Sequence, residues 1–453
     1  MNKNSRILEG NVFTNMLIFS FPIILTGVLQ LLYNAADVIV VGRYAGSNSL
    51  AAVGATGSLI NLFTNLFIGL SSGTSVCVAH FTGAKNSNAV SKSVHTSVGI
   101  SLLSGVFLTI LGLFLSKFML EIMSTPDEII NEATLYMQII FLGMPASLLF
   151  NFGAAILRAS GDTKTPLIFL SVSGIINVIL NLVFVIIFKL NAAGVGIATI
   201  ISQYISATLI VIHLMRLNSD CKLNPKNIKI DKNILLRILK IGLPAGFQGT
   251  LFSISNVLIQ SSINGFGSQA IAGNSAASNV EGFTYIAMNS FHQSMLTFVG
   301  QNVGAKKINR LKKIILTGCA QVTIVGIVLG FVCLFFGNSL LNLYTPGDNE
   351  VIAYGLKRMS IILPTYFTCG IMDVIVGALR GMGSSLVPMI VTVVGVCGLR
   401  IVWIHTVFEK IPTLECLYTS YPVSWVITAA INALLCIYIA RKLIRKNQQT
   451  LLT

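Results

Sequence analysis

Twelve long apolar runs decide what this chain can become. Each is roughly 20 residues or longer, the length a helix needs to cross the hydrocarbon of a bilayer. They lie near 15–41, 50–76, 93–116, 133–156, 166–188, 192–215, 238–263, 271–298, 314–337, 354–379, 387–408 and 422–440. The runs are continuous rather than alternating, so they read as helices and not as barrel strands. Only 10% of the 453 residues are charged, against about 25% in a soluble domain. A chain with 54% hydrophobic residues cannot hide so much apolar surface in a water-soluble core. The predicted fold class is an all-α integral membrane protein of twelve transmembrane helices.

The net charge of +15 would suit a nucleic-acid binder, but the positions of the charges argue otherwise. Connections expected on one face, together with the stretch around 217–236 and the tail, hold 23 of the 30 basic residues, among them Lys85, Lys164, Lys306 and Arg441. The other face receives Arg43, Lys117, Lys189, Lys357, Arg358 and Lys410, and Arg400 is left inside a span. This is the positive-inside bias, and it predicts a multi-pass plasma-membrane protein with both termini cytoplasmic. No nucleic-acid partner is expected; membrane lipids are. The polar start lacks a short apolar run followed by a small-residue cleavage site, so the first span is expected to serve as its own insertion signal. Eight cysteines show neither metal nor disulfide spacing, and no metal site is expected.

Internal repetition sets the organisation. Pro22 and Pro244 open the first and seventh spans as FPIIL and LPAGF. Gly46-Ser47 answers Gly267-Ser268, Gly83-Ala84-Lys85 answers Gly304-Ala305-Lys306, and Thr125-Pro126 answers Thr345-Pro346. Pro145 answers Pro364, and LRASGDTKTP from Leu157 answers LRGMGSSLVP from Leu379. The order and the nearly constant offset make the repeat unit about six helices. Six is even, so the two halves run parallel, the arrangement of transporters that bind substrate near the bilayer midplane. The expected division is an N-terminal six-helix lobe at 1–216, a cytoplasmic linker at 217–236 and a C-terminal six-helix lobe at 237–453.

These residues, with YNAADVIVVG in span one, QNVGAKK after span eight, NVILNLVFV in span five and AGVGIATIISQ in span six, resemble the multidrug and toxic compound extrusion (MATE) transporters over nearly the whole chain. The resemblance implies two six-helix lobes, alternating access driven by inward movement of sodium or protons, and export of amphipathic, often cationic, compounds. It also implies a cluster in the N-terminal lobe joining a span-one aspartate to an asparagine and an aspartate of span five and a threonine of span six. Asp37, Asn177 and Thr199 take those places, while Asn181 stands where the second aspartate is expected. One carboxylate in place of two weakens a tight sodium site there.

The residues support this on their own terms, because an ionisable group inside a span is a functional candidate by default. Asp37 lies in the outer part of span one with Asn34 one turn back on the same face. A carboxylate there can take up a proton or sodium from outside and release it inward; the plainer reading is an interfacial aspartate reaching water. Asn177 and Asn181 share one helix face, as do Thr199 and Gln203; helix–helix hydrogen bonding is the alternative. In the second half, Glu281 and Asp373 could line a cationic-substrate site or a second cation site, or form structural ion pairs. Arg400, the one arginine that reads as buried, is the expected partner for one of them. His292 and His405 read as hydrogen-bonded core residues, and Arg158 and Arg380 as anchors for lipid headgroups or loops.

No phosphate-binding loop, HExxH, paired CxxC or nucleophile–base pair is present, so no enzyme and no cofactor beyond a coupling proton or sodium ion is expected. The predicted function is therefore a monomeric secondary exporter of small amphipathic, cationic molecules. Two alternatives stay open. A lipid-linked oligosaccharide flippase of the same broader fold would need several basic residues facing pyrophosphate, and a passive channel would be a symmetric ring of subunits.

Overall fold

The computed structural model describes residues 7–452, and every regular element among them is helical. Twelve long helical segments follow the twelve apolar runs. In the first half they are α1 (Val12–Tyr44), α2 (Ser47–Gly83), α3 (Ser87–Ile122), α4 (Asp127–Leu142 with Met144–Ala159), α5 (Lys164–Ile187) and α6 (Asn191–Arg216). In the second half they are α7 (Lys232–Asn264), α8 (Ser268–Gly304), α9 (Ile308–Phe335), α10 (Asn349–Gly381), α11 (Leu386–Phe408) and α12 (Leu414–Leu452). Ten of them are long and apolar enough to cross a membrane alone, and α4, bent by 44° at Gly143, makes an eleventh if its two parts form one span. The twelfth, α8, is 37 residues long but too polar to qualify by composition. Much of its polar surface is buried against the helices around it, α9 and α10 among them, so lipid does not have to solvate it.

Pro22 and Pro244 do not open their helices, as the sequence reading has it; both lie inside them, with ten or more helical residues ahead. A proline within a helix removes one backbone hydrogen bond and crowds the preceding turn. The chain changes allegiance just beyond each one. Leu25–Gly246 forms one compact unit, here the N unit; the residues up to Ile24 together with those from Phe247 onward form the other, the C unit. Sequence halves and compact units are thus different partitions. The start of α1 belongs with the C unit, and the linker and start of α7 belong with the N unit.

That last assignment has a visible cause. Gly246 lies so close to α2 that a Cβ on it would fall 2.4 Å from the Leu66 carbonyl oxygen, and one on Gly69 would meet Gly246 backbone at 2.2 Å. Small residues let these two helices touch backbone to backbone. The linker is tied to α3: His95 Nε2 accepts from Asn224 N–H at 3.1 Å and Thr96 Oγ1 accepts from Asp231 N–H at 3.1 Å. Asp231 then caps α7, accepting from Asn233 and Ile234 N–H at 3.0 and 3.2 Å, with Lys92 Nζ at 3.3 Å. The Ile234 hydrogen bond above all, with Lys92 beside it, holds the Asp231 carboxyl below the usual carboxylate range.

The repeated motifs turn out to be turn residues. Gly46 and Gly267, ahead of α2 and α8, have φ of 88° and 95°, a left-handed region that favours glycine. Lys85 and Lys306 share φ near +55° (53° and 56°), and Gly161 and Gly383 lie at 96° and 89°. The repeat is therefore written most clearly where the backbone constrains the residue type.

Candidate functional site

In the N unit, a close contact between α1 and α5 sets the register of the polar groups. The Tyr33 ring lies directly over Gly174, where a Cβ would overlap it at 1.9 Å. One turn further along α1 comes Asp37, and one and two turns along α5 come Asn177 and Asn181, so the same contact brings all three together. Asn181 Nδ2 donates to Asp37 Oδ1 at 2.5 Å and to Asn177 Oδ1 at 3.3 Å. Thr199 Oγ1 on α6 donates to Asp37 Oδ2 at 3.4 Å and accepts from Asn177 Nδ2 at 3.4 Å. Asn177 and Asn181 are buried, and Asn181 Oδ1 is fully buried with no hydrogen-bond partner. Just past Asn181, α5 widens into a π-turn at Val183–Ile187, a feature frequent at functional sites.

Four of the five expected residues therefore meet around one carboxylate. Asn34 does not: it is exposed and makes no hydrogen bond to any of them. Gln203 also stands apart, with its amide oxygen lying over Gly143 at the bend of α4. The assembled group offers a carboxylate, two amide oxygens and a hydroxyl within one small volume. Such a set can carry a proton on Asp37 or supply oxygen ligands to a hard cation.

The C unit is organised differently, and it corrects several expectations. Arg358, read from sequence as an outer-face charge beside Lys357, is buried within α10. Its Nε and Nη2 donate to the two Glu281 oxygens at 2.9 and 2.7 Å, and Nη1 donates to Asn274 Oδ1 at 2.7 Å. Gln260 accepts in turn from Asn274 Nδ2 at 2.8 Å. A guanidinium tolerates burial when a carboxylate takes it in this two-pronged way. Tyr418 and Tyr421 face it from α12, with its carbon 5.4 and 5.3 Å from the ring centres. Close helix approach makes the pair possible: a Cβ on Gly273 of α8 would meet the Val351 carbonyl oxygen of α10 at 2.5 Å. Glu281 is thus engaged by Arg358 and not by Arg400.

Arg380, read as a lipid or loop anchor, is likewise buried. It donates to Gln248 Oε1 at 2.9 Å and faces His292 Nε2 at 3.3 Å, while His292 Nδ1 donates to the Asp373 carbonyl at 2.7 Å. Asp373 is buried with Arg380 as an electrostatic neighbour, but among the described residues its carboxylate accepts no hydrogen bond. Arg158, by contrast, is partly exposed. His405 is exposed and pairs with Glu409 at 3.2 Å rather than sitting in a core. Arg400 is not the one buried arginine; among the described residues it is one of three, and it pairs with neither Glu281 nor Asp373. Its Nε donates to Ser424 Oγ at 3.3 Å, and its guanidinium carbon sits 4.0 Å from the Tyr421 ring centre. Glu281, Asp373, Gln203 and Arg400 therefore do not form one group.

What sequence reasoning missed is Arg358 with Asn274 and Gln260, and the Gln248–Arg380–His292 chain. A weak signal existed for Arg358: it lies at helical spacing between buried Gly355 and Ile362, on the inward stripe of its helix.

A duplicated bundle of membrane-crossing helices, with carboxylates and arginines buried in its interior, has the build of a membrane transporter. The chain belongs to the MatE family, whose family model matches it twice, over residues 22–183 and 244–404. The two matches follow the repeat read from the sequence, and the family is one of transporters rather than enzymes. The chain is 28% identical to "Probable multidrug resistance protein YoeA" of Bacillus subtilis, over 97% of this chain and 96% of that protein. It is 20% identical to "Multidrug export protein MepA" of Staphylococcus saprophyticus, over 91% of this chain and 94% of that one. Among solved structures it shares its fold with a MOP superfamily transporter from Pyrococcus furiosus, at a TM-score of 0.90 and 20% identity, over 98% of this chain and 99% of that chain.

Proposed function

We propose that this protein is a secondary active exporter of amphipathic, cationic organic compounds, driven by inward movement of protons or sodium through alternating access of its two lobes. The observation that carries this reading is the cluster around Asp37: one carboxylate held by Asn181 and Thr199, with Asn177 beside them. A group that carries an ion across must bind it strongly enough to load and weakly enough to unload, and a single carboxylate among neutral oxygens suits a proton better than sodium. Sodium needs several oxygen ligands with enough negative charge to offset its lost hydration, and Asn181 supplies none. Relatives named for multidrug resistance and multidrug export support the exported class. For the cationic preference, Asp373 is the remaining candidate of the two C-unit carboxylates, since Arg358 already neutralises Glu281. We further propose that both termini and the 217–236 linker are cytoplasmic.

Transport by purified protein in liposomes, under imposed proton or sodium gradients and with cationic and neutral dyes, tests the function. The expected result is uptake of cationic dye into inside-out vesicles that requires a gradient; gradient-independent equilibration would point to a channel instead. Cysteine labelling tests the topology: an impermeant reagent applied outside cells is expected to modify Asn349→Cys and not Asn218→Cys, and the reverse pattern would overturn the orientation.

A further inference from the structure

Among the described residues the C unit buries three arginines and treats one of them differently. Arg358 has Glu281, and Arg380 has Asp373 as its nearby carboxylate with Gln248 and His292 as hydrogen-bond partners. Arg400 is 5% exposed, yet its electrostatic neighbours are Tyr421, Cys369, Cys397 and Arg358, and no carboxylate is among them. Of its five N–H donors only Nε is used, on Ser424 Oγ. Neither Nη nitrogen hydrogen-bonds to the protein, and neither is among the fully enclosed unpaired atoms. A guanidinium that is buried as a whole, with Nη donors that the described residues leave unused and that are not enclosed, is open to an acceptor from outside the protein.

The surroundings combine an irregular helix with buried aromatic side chains. Arg400 sits in a short α-helical stretch, Leu399–Trp403, with a π-turn on each side at Val393–Gly398 and Ile404–Phe408. Such turns displace side chains from regular helix positions and recur at functional sites. Tyr421 and Trp425 meet edge to face with ring centres 5.8 Å apart, and Tyr366 meets Trp425 at a tilt, 5.2 Å between centres. The place is also the counterpart of the Asp37 cluster. The shift that carries Pro22 to Pro244 and Leu157 to Leu379 carries Asn177 to Leu399, beside Arg400, and Thr199 to Tyr421.

We propose that Arg400 is the recognition point for an oxyanion, a carboxylate, sulfonate or phosphate, borne by an aromatic organic compound that binds the C unit. A planar guanidinium takes such groups through paired hydrogen bonds, and the Tyr421–Trp425–Tyr366 cluster beside it suits contact with an aromatic body. The site extends the ligand chemistry of the protein beyond cations, to anionic and zwitterionic compounds.

The chain has two tryptophans, Trp403 and Trp425, and both lie within the region concerned, so intrinsic fluorescence reports on it. The full-length protein in neutral detergent is titrated with para-nitrobenzoate and, separately, with para-nitrobenzamide, which keeps the quenching ring and loses the charge. Saturable quenching by the anion, with little by the amide, is expected. Arg400→Gln is expected to weaken anion binding by about tenfold or more while leaving the amide unchanged, and Arg400→Lys to fall between. Equal binding of anion and amide by the unaltered protein would overturn the proposal, as would unchanged anion binding in Arg400→Gln. Should Arg400→Gln fail to remain monodisperse, the anion–amide comparison in the unaltered protein and its weakening in Arg400→Lys decide instead. Competition in neutral detergent separates the sources of the oxyanion. Displacement of nitrobenzoate by a short-chain phosphatidylcholine, which carries a phosphate but no net charge, assigns the guanidinium to a lipid phosphate, and no displacement assigns it to the soluble compound. No step of the test needs transport, so a failure of the exporter reading and a failure of this one remain distinct.

Discussion

In the N unit, α1, α5 and α6 bring a carboxylate, two amides and a hydroxyl together; in the C unit, α11 and α12 bring a guanidinium, a tyrosine and a serine to the corresponding place. The two regions descend from one repeat and keep its backbone. Gly46 and Gly267, Lys85 and Lys306, and Gly161 and Gly383 hold matching left-handed turns. What they do not keep is polarity. Backbone geometry tolerates few residue types at a turn, so duplication stays legible there, while a buried polar position accepts any residue whose partners are supplied. An architecture can therefore hold its symmetry and still give its halves different chemistry: the proposed ion handling around Asp37, and an internally neutralised pair of Glu281 with Arg358.

The largest expected effect tests the first of these. Asp37→Asn is expected to reduce gradient-driven export to the background of empty liposomes, while the protein stays monodisperse and still binds dye. The asparagine keeps the size and the hydrogen-bonding reach of the original, so a loss of export without a loss of folding isolates the charge. Export at the unaltered rate under a proton gradient would remove Asp37 from the coupling role. In the C unit the expectation is reversed. Arg358→Met leaves Glu281 buried without its partner, and breaking such a pair costs about 3–5 kcal/mol. Thermal unfolding in detergent should show that loss as a large fall in melting temperature. The double change Glu281→Leu with Arg358→Met should recover most of it, because neither charge then remains buried. If Arg358→Met is as stable as the parent and loses only transport, the pair is itself a functional site and the contrast between the units fails.

How much of this could be read beforehand follows from the same physics. Periodicity and length mark the helices because lipid imposes them residue by residue, and only α8, whose polar face is covered by protein, falls short of the composition rule. Asp37, Asn177, Asn181 and Thr199 could be grouped through a resemblance and through helical spacing, which is local information. The Glu281–Arg358 pair could not. Its members lie 77 positions apart on different helices, and the adjacency of Arg358 to exposed Lys357 made it look like part of a surface charge pair. For the same reason the sequence pairs Arg400 with a carboxylate that the fold assigns to another arginine. Partner choice among buried ions depends on which helices touch, and close approaches such as Gly273 on α8 against Val351 on α10 carry no recognisable signature in either segment.

A smaller effect sharpens the account of the N unit. Asn181 already donates to Asp37 and holds an unpartnered, fully buried oxygen beside it. Asn181→Asp adds a second carboxylate at nearly the same volume. Two like charges at that separation favour a shared cation over two separate anions. We expect the sodium concentration needed for half-maximal export to fall by about tenfold, roughly 1.4 kcal/mol of added affinity. Sodium titration of transport at fixed pH measures it. A sodium response unchanged from the parent would mean that the cluster never presents its oxygens to a metal ion.

The smallest expected effect separates helical spacing from actual contact. Asn34 lies one turn before Asp37 on α1, and spacing alone places both on one face. The structure gives them different environments: Asp37 turns toward α5 and α6, whereas Asn34 is exposed and shares no hydrogen bond with the cluster. Asn177 has the opposite credentials, buried and bonded to both Asn181 and Thr199. If contact decides, Asn34→Ala should keep proton-driven export within about twofold of the parent, roughly 0.4 kcal/mol in transition-state terms. Asn177→Ala should lose clearly more, since it removes one of the two acceptors of the Asn181 amide and one of the two partners of Thr199. Initial rates of dye transport for the two variants, at matched protein per liposome, give the ranking directly. The reverse ranking would mean that the ion meets Asn34 before or instead of Asn177, and that the carboxylate is loaded from the exposed face of α1 rather than from within the three-helix cluster.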